Sequence, residues 1–456
     1  MSFPPTKALR PPLPEGPFLV VGLARSGIAA ARLLAARGET VVGVDSGNPA
    51  GAAGLRDIGV EVFLDEDGLA RLDGVRTVVK SPGVPREAPV IAAARERGIE
   101  TIGELELAWR TIPNRFLAVT GTNGKTTTVE MLGHLYRAAG TPVAVAGNVG
   151  TPLSQLAGEL EADATVVCEC SSFQLEDTAE FAPECAVFLN FAPDHLDRYA
   201  GLDDYLAAKL RIFANQGNDD VAVYNGDDPA LAGTDLGGCG RRIAFCTGAG
   251  PDCEVAVAEG QIFYDGEPLL AVSELGLIGG HNVANAMAAA AAALSMGLGR
   301  EAVREGLRSF AGVPHRLEPL AVEPGGVRFV NDSKATNVAS AIVGIRAFEG
   351  GVHAILGGSD KGEPFAPLLD PVRERCAACY LTGATAGRLA EELAPALEAG
   401  VELHRCENLG DAVTRAAAAA RPGETVLLSP ACASFDAFEN FERRGEAFRT
   451  IVEELA

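Results

Sequence analysis

Short, almost wholly apolar runs recur along the chain, and each ends in a polar or glycine-rich stretch. They fall at residues 18–21, 40–44 and 77–79, at 116–119, 142–145, 165–168, 186–189 and 221–224, and again at 329–330, 353–356, 380–381 and 426–428. Unalternating runs of this length predict strands buried on both faces, as in parallel sheets. Helical spacing follows many of them, for instance over 129–136 behind the run at 116–119. Alternation of strand and helix predicts an α/β fold. Residues 252–275 break the pattern with short strands and turns such as Tyr264-Asp265-Gly266, which predicts a small antiparallel edge. The expected architecture is α/β with three domains. A Rossmann-like domain spans 18–110. A mononucleotide-binding central domain with a phosphate loop, a parallel sheet and a small antiparallel part spans 111–312. A second Rossmann-like domain spans 313–456. Residues 1–17, Pro-rich and without an apolar core, are expected to be a loose tail.

A chain of 456 residues carries two to four such domains, each with a core of its own. Its formal charge of −23 (38 Lys and Arg against 61 Asp and Glu) argues against a general nucleic-acid partner, which would need a basic face. No apolar run is long enough to span a bilayer, and no signal-type segment opens the chain. The ten cysteines are scattered, so a cytosolic protein with reduced thiols is expected. Cys376 and Cys379 lie inside an apolar run with no second pair beside them, and read as buried strand residues rather than a zinc site.

The strongest chemical signal is Gly121-Thr122-Asn123-Gly124-Lys125-Thr126-Thr127, set between a predicted strand and a predicted helix. Glycines let backbone N–H groups close on a polyphosphate, and the helix start adds free donors and a positive dipole end. Lys125 is placed to reach the outer phosphates and Thr126 to hold a Mg²⁺ bridging them. Only the second half of the usual loop is present, because Val119 stands where the leading glycine would be. Glu169 ends the strand at 165–168, and a carboxylate there suits the same Mg²⁺. His195, in Asp194-His195-Leu196-Asp197-Arg198, reads equally as a metal ligand or as part of a polar turn. Lys209 sits in a helix, where most lysines are solvated. Asn282 and Asn285 share a face at the start of an Ala-rich helix, open to capping or to a ligand.

In the first segment, Gly22-Leu23-Ala24-Arg25-Ser26-Gly27 turns from strand to helix, and the next strand ends at Asp45. That is a nucleotide-type βαβ unit, though Ala24 in its central position weakens the case for NAD. Asp45 is either a sugar acceptor or a solvated strand-end carboxylate, and Gly83 either admits a ligand or simply turns the chain. In the last segment Arg316, Lys334 and Lys361 bring positive charge to a sheet edge, which suits a carboxylate or phosphate ligand.

Taken together, TGTNGKTT, the Glu169-x-Ser-Ser run, Asp194 to Arg198, Lys209, His281-Asn282-x-x-Asn285 and His315-Arg316 resemble the Mur ligase family across nearly the whole chain. Asn331-Asp332-Ser333-Lys334-Ala335-Thr336-Asn337 and Ser429-Pro430-Ala431-Cys432-Ala433-Ser434 are similar to its D-glutamate-adding branch. The resemblance implies UDP-substrate-, ATP- and amino-acid-binding domains in that order. It implies ATP-dependent joining of D-glutamate to UDP-N-acetylmuramoyl-L-alanine through an acyl phosphate, by a monomer with two Mg²⁺ sites. It assigns Lys209 to a carbamylated metal ligand alongside Thr126, Glu169 and His195, with Lys125 in the catalytic set. Asn285, Arg316 and Asp332 fall to ATP. Ser26, Asp45, Gly83, Asn148 and His195 fall to the UDP substrate. Lys334, Thr336, Lys361, Ser434 and Phe441 fall to D-glutamate. The chain departs from the family at Arg25-Ser26, at Ser46-Gly47 and at Phe435, where an aliphatic residue is common. Other ligases of the set, adding L-alanine or a diamino acid, and folylpolyglutamate synthases lack the final Ser429 to Gly445 run. A protein-binding NTPase switch would not need three polar sheet edges.

Overall fold

The computed structural model describes residues 10–194, 198–248, 253–277, 279–321 and 323–455. Three sheets follow one another along the chain. The first contains β1 (Phe18–Val21), β2 (Val41–Asp45), β3 (Glu61–Leu64), β4 (Thr77–Lys80) and β5 (Glu100–Gly103), all parallel, in the order β3-β2-β1-β4-β5. β1 is the strand on whose two sides the order reverses, and its exit opens the switch-point crevice of such sheets. Helix Arg25–Ala36 packs tightly behind it, because a Cβ on Gly27 would lie 1.7 Å from the Gly22 carbonyl oxygen.

The central sheet contains β6 (Arg115–Thr120), β7 (Val143–Gly147), β8 (Thr165–Glu169), β9 (Cys185–Phe188), β10 (Val221–Asn225), β11 (Arg241–Cys246), β12 (Val255–Ala258), β13 (Gln261–Tyr264) and β14 (Glu267–Ala271). Their order is β14-β13-β12-β11-β10-β9-β6-β8-β7, antiparallel only from β12 to β14, as the alternation over 252–275 predicts. β6 is buried at every residue, which the unbroken apolar run at 116–119 foretells.

The third sheet contains β15 (Glu318–Pro319), β16 (Arg328–Asn331), β17 (Val352–Gly357), β18 (Cys376–Thr382), β19 (Glu402–Arg405) and β20 (Thr425–Leu428). The order is β15-β16-β20-β17-β18-β19, with β15 the one antiparallel member. Residues 315–317, just ahead of β15, form a turn in which His315 and Leu317 take positive φ. Phe438 lies ahead of helix Phe441–Glu454, whose N-cap is Asn440, so it does not share a helical face with Phe448.

The first two sheets belong to one compact unit, residues 1–275 with 281–310, and the third to another, 311–456 with 276–280. Inside the first unit the two sheets are fastened by buried carboxylates on helix Glu104–Thr111. Glu104 accepts from the Ser154 backbone N–H (2.6 Å), and Glu106 from those of Ala179, Glu180 and Phe181. Of the expected tail at 1–17, residues 1–9 lie outside the described residues, and contacts of Arg10 and Pro12 fasten the part that follows. Arg10 pairs with Glu184 at 3.1 Å, its guanidinium lies 4.6 Å from the Trp109 ring centroid, and Arg110 donates to the Pro12 carbonyl. The anchoring comes from single charged groups, which is why an apolar count misses it.

Cys246 and Cys253 are joined as a disulfide, where reduced thiols were expected, because β11 and the chain entering β12 bring their Cα atoms to 6.0 Å. Cys376 and Cys379 are buried in β18 without forming one. Among the described residues no helix is long and apolar enough to cross a membrane.

Candidate active site

The phosphate loop leaves β6, and the neighbours of β6 on both sides supply its partners. From β8, Glu169 accepts a hydrogen bond from the Thr126 hydroxyl at 2.8 Å and one from the Asn148 amide at 2.9 Å. From the exit of β9, Asn190 holds the loop on two sides. Its side-chain oxygen accepts from the Asn123 N–H (2.9 Å), its amide donates to the Asn123 carbonyl (3.1 Å), and its own carbonyl accepts from the Thr122 N–H (3.0 Å).

Gly124 precedes helix Lys125–Ala138 at φ 83°, and a Cβ there would lie 2.3 Å from the Asn285 side-chain oxygen. That close approach brings Asn285, hydrogen-bonded to Asn282 at 3.0 Å, against the loop. Lys125 Nζ donates to the carbonyls of Gly121 and Thr122 at 2.8 and 2.9 Å. Thr127 is buried beneath.

Lys209 is the unexpected member in its burial. It is 1% exposed, and its Nζ donates to the Gly121 carbonyl at 2.8 Å and lies 4.7 Å from the Tyr205 ring centroid. Burial, and then the nearby charge of Lys125, push its ammonium down to about 6. Both effects favour the uncharged amine at neutral pH. Tyr205 in turn places its hydroxyl 3.5 Å from that of Thr122. His195 lies outside the described residues.

At the first sheet's rim, Asp45 is fixed by two backbone donors, Leu23 N–H at 2.6 Å and Gly47 N–H at 2.8 Å. Its carboxylate therefore locks the Gly22–Gly27 turn, a structural task that strand-end placement alone does not reveal. Ser26 stands in the first turn of helix Arg25–Ala36. Gly83 is exposed, and a Cβ there would meet open space, so packing does not call for a glycine at that point.

In the second unit, Asp332 follows β16. It accepts from the Ser429 hydroxyl at 2.7 Å and the Leu317 N–H at 3.2 Å. Burial, only partly offset by those donors and by Arg316, raises its carboxyl to about 7. The strained turn at 315–317 is held over it, with the His315 carbonyl accepting from the Lys334 N–H at 3.0 Å. Lys334 Nζ stands 5.8 Å from the Phe441 ring centroid, and Lys361 Nζ donates to the Thr336 carbonyl at 3.2 Å. Among the described residues, the Ser434 hydroxyl and the Arg316 Nε are buried without a hydrogen-bond partner. Buried polar atoms of that kind are costly unless a ligand completes them.

Sequence reasoning passed over Arg444 altogether. It is buried, donates to the Ser333 hydroxyl (3.0 Å) and carbonyl (2.8 Å) and to the Cys432 carbonyl (3.1 Å), and so ties the 331–337 run to the 429–434 run. Asn190 and Tyr205 are likewise members of the site that the sequence reading leaves without a role. For Arg444 the one signal was its place inside the Ser429 to Gly445 run.

Three family models match in chain order. They are a MurD-like N-terminal domain of Mur ligases over residues 17–103, the Mur ligase middle domain over 119–293, and the Mur ligase glutamate ligase domain over 315–432. The UDP-N-acetylmuramoylalanine–D-glutamate ligase of Acidobacterium capsulatum is 42% identical over 95% of both chains. The protein of that name from Caldanaerobacter subterraneus is 37% identical over 97% of this chain and 99% of its own. Among solved structures, the MurF ligase of Thermotoga maritima in complex with ADP superposes with a TM-score of 0.59 at 18% identity, covering 99% of this chain and 98% of that one. The UDP-N-acetylmuramate–alanine ligase MurC of the same organism gives 0.59 at 22% identity, covering 96% and 99%. At those identities the structural likeness speaks for the fold.

Proposed function

The chain belongs to the Mur ligase family, and from that premise we propose that it joins D-glutamate to UDP-N-acetylmuramoyl-L-alanine in peptidoglycan precursor synthesis, converting ATP to ADP and phosphate. A carboxylate resists an amine because oxide is a poor leaving group. One carboxylate oxygen of the L-alanine residue takes the γ-phosphoryl group, ADP departs, and an acyl phosphate results. The D-glutamate amine attacks its carbonyl carbon, the tetrahedral adduct loses phosphate, the nitrogen gives up a proton, and an amide remains. The protein's task is to bring two anions together and hold them in line.

The observation that carries this reading is the convergence of Lys125, Thr126, Glu169 and buried Lys209 on one loop. Lys125 supplies the charge that ATP's outer phosphates need. Among the described residues no group of three or more His, Cys, Asp or Glu side chains is preformed for a metal. One carboxylate and one hydroxyl at the Thr126–Glu169 pair suit Mg²⁺, which characteristically completes its shell with phosphate and water. Bound there, Mg²⁺ would supply positive charge between ATP and the attacking carboxylate. A second Mg²⁺ falls to His195 and Lys209. Lys209 serves that role as a carbamate: its neutral amine adds to CO₂ and releases a proton, leaving an anionic oxygen ligand.

Asn148, bonded to Glu169, is placed to touch the acyl end of the UDP substrate, whose remainder falls to Ser26, Asp45 and Gly83. Asn285, Arg316 and Asp332 take the nucleotide. Lys334, Thr336, Lys361, Ser434 and Phe441 take D-glutamate. We place the enzyme in the cytosol, as a monomer.

The deciding assay measures phosphate release from ATP with UDP-N-acetylmuramoyl-L-alanine and each amino acid in turn. Release with D-glutamate alone is expected. Release independent of any amino acid would mean a plain NTPase.

Asp332 gives the nucleotide site a pH dependence. Its carboxyl, raised to about 7, accepts from ribose hydroxyls best when ionised, so nucleotide affinity should rise as pH climbs through 7. Between pH 6 and 8 the ionised fraction changes about tenfold. ADP titrated calorimetrically across that range should bind roughly tenfold tighter at the upper end, and Asp332→Asn should flatten the profile. The stability effect has the opposite sign. The unfolded carboxyl ionises from about 4 upward while the folded one keeps its proton, so this group costs stability as pH rises toward 7.

A further inference from the structure

Lys80 closes β4 with a fully buried side chain. Its Nζ donates to the Val84 carbonyl at 2.8 Å and lies 3.5 Å from that of Ser81, so it spans both ends of the turn that carries Gly83. On its other side Nζ meets Asp177 Oδ2 at 2.7 Å and Glu176 Oε1 at 3.8 Å, two buried carboxylates of the central domain. A buried ammonium persists only where it is paired and hydrogen-bonded.

The segment bearing those carboxylates begins at the metal-binding candidate. β8 ends at Glu169. Ser171 then caps the short helix Ser172–Leu175 reciprocally with Gln174, and Glu176 and Asp177 follow at once. The Asp177 carbonyl also accepts from the Gly103 N–H at 2.9 Å, which ties the segment to the end of β5. Glu176 accepts from the Tyr199 hydroxyl at 3.3 Å. The Tyr199 ring lies 5.3 Å from that of Tyr205, which faces Lys209 and meets Thr122. One short chain of contacts thus joins the Gly83 turn to both the Glu169 strand end and the phosphate loop.

We propose that Lys80 is a positioning residue for the ligation, registering the turn that receives the UDP-bearing substrate against the segment that carries Glu169. The inference rests on the ligase reading and on the placing of Gly83 in the UDP-substrate site. Lys80 touches no reacting atom. It fixes where the substrate's carboxylate arrives relative to the transferred phosphoryl group, a register in which an ångström is costly.

In the full-length enzyme, Lys80→Met should raise the KM for UDP-N-acetylmuramoyl-L-alanine about tenfold or more and lower kcat. The KM values for ATP and D-glutamate should stay within about twofold. Asp177→Asn, isosteric and confined to the partner side, should show the same split and serves if Lys80→Met does not fold. A contact that only supports the fold would lower Tm and leave all three KM values in place. That result in whichever variant folds overturns the proposal, as does failure of both to fold. A wild-type enzyme that releases no phosphate with D-glutamate would instead sink the ligase reading itself.

Discussion

Replacing Lys209 with alanine should lower turnover about a thousandfold, the scale of losing one group that stabilises developing charge, and a small carboxylic acid in the assay should restore part of it. The reason lies in the site's electrostatics. An ammonium there is shut away from water and faces the charge of Lys125, so the proton is held weakly, to about 6. A lysine of that kind contributes little as a cation at pH 7 and much as a nucleophile for CO₂. The proposed carbamylation would turn that largely uncharged amine into an anionic oxygen donor. Deleting the side chain removes the donor and leaves space into which formate or acetate fits. The measurement is kcat of Lys209→Ala with and without millimolar short-chain acid, beside Lys209→Gln, which fills the space and should not be rescued. Wild-type turnover in unsupplemented Lys209→Ala would end the carbamate assignment.

The loop, its acid and the three sheets were readable because each depends on residues close in sequence. β6 followed by Gly121 to Thr127 needs only a strand, a turn and a helix start, and Glu169 announces itself as the polar end of an apolar run. Lys209 was readable only through resemblance, since helical spacing does not show that its amine, one turn after Tyr205, reaches the Gly121 carbonyl 88 positions away. Lys80, Arg444 and Arg10 were illegible for the same reason. A charged residue looks solvated until its partner, here 97, 111 or 174 positions away, is brought to it. Asp45 shows the converse. Its place at a strand end was correct, yet its oxygens are engaged by the turn's own N–H groups, which only backbone geometry discloses.

Lys361→Ala should depress kcat/KM for D-glutamate by roughly 30- to 150-fold, the worth of about 2–3 kcal/mol for a charge-assisted hydrogen bond to a carboxylate. The KM for ATP should move by less than about twofold. The asymmetry follows from the surroundings. Lys361 is exposed, and its Nζ donates to the Thr336 carbonyl at 3.2 Å, a weak hold that a ligand carboxylate would better. Elsewhere in the same unit Arg444 braces Ser333 against Cys432, and among the described residues the buried Ser434 hydroxyl has no hydrogen-bond partner. On the proposed assignment, an amino-acid dicarboxylate would draw on the unpartnered Ser434 hydroxyl and on the exposed Lys361 ammonium. Losing the cation should therefore weaken capture without disturbing the frame, and Tm should change by no more than a surface substitution allows. Steady-state kinetics with D-glutamate and ATP varied separately decide it. Equal loss toward both substrates would mean that Lys361 serves the nucleotide, or the closing of the site as a whole, rather than the amino acid.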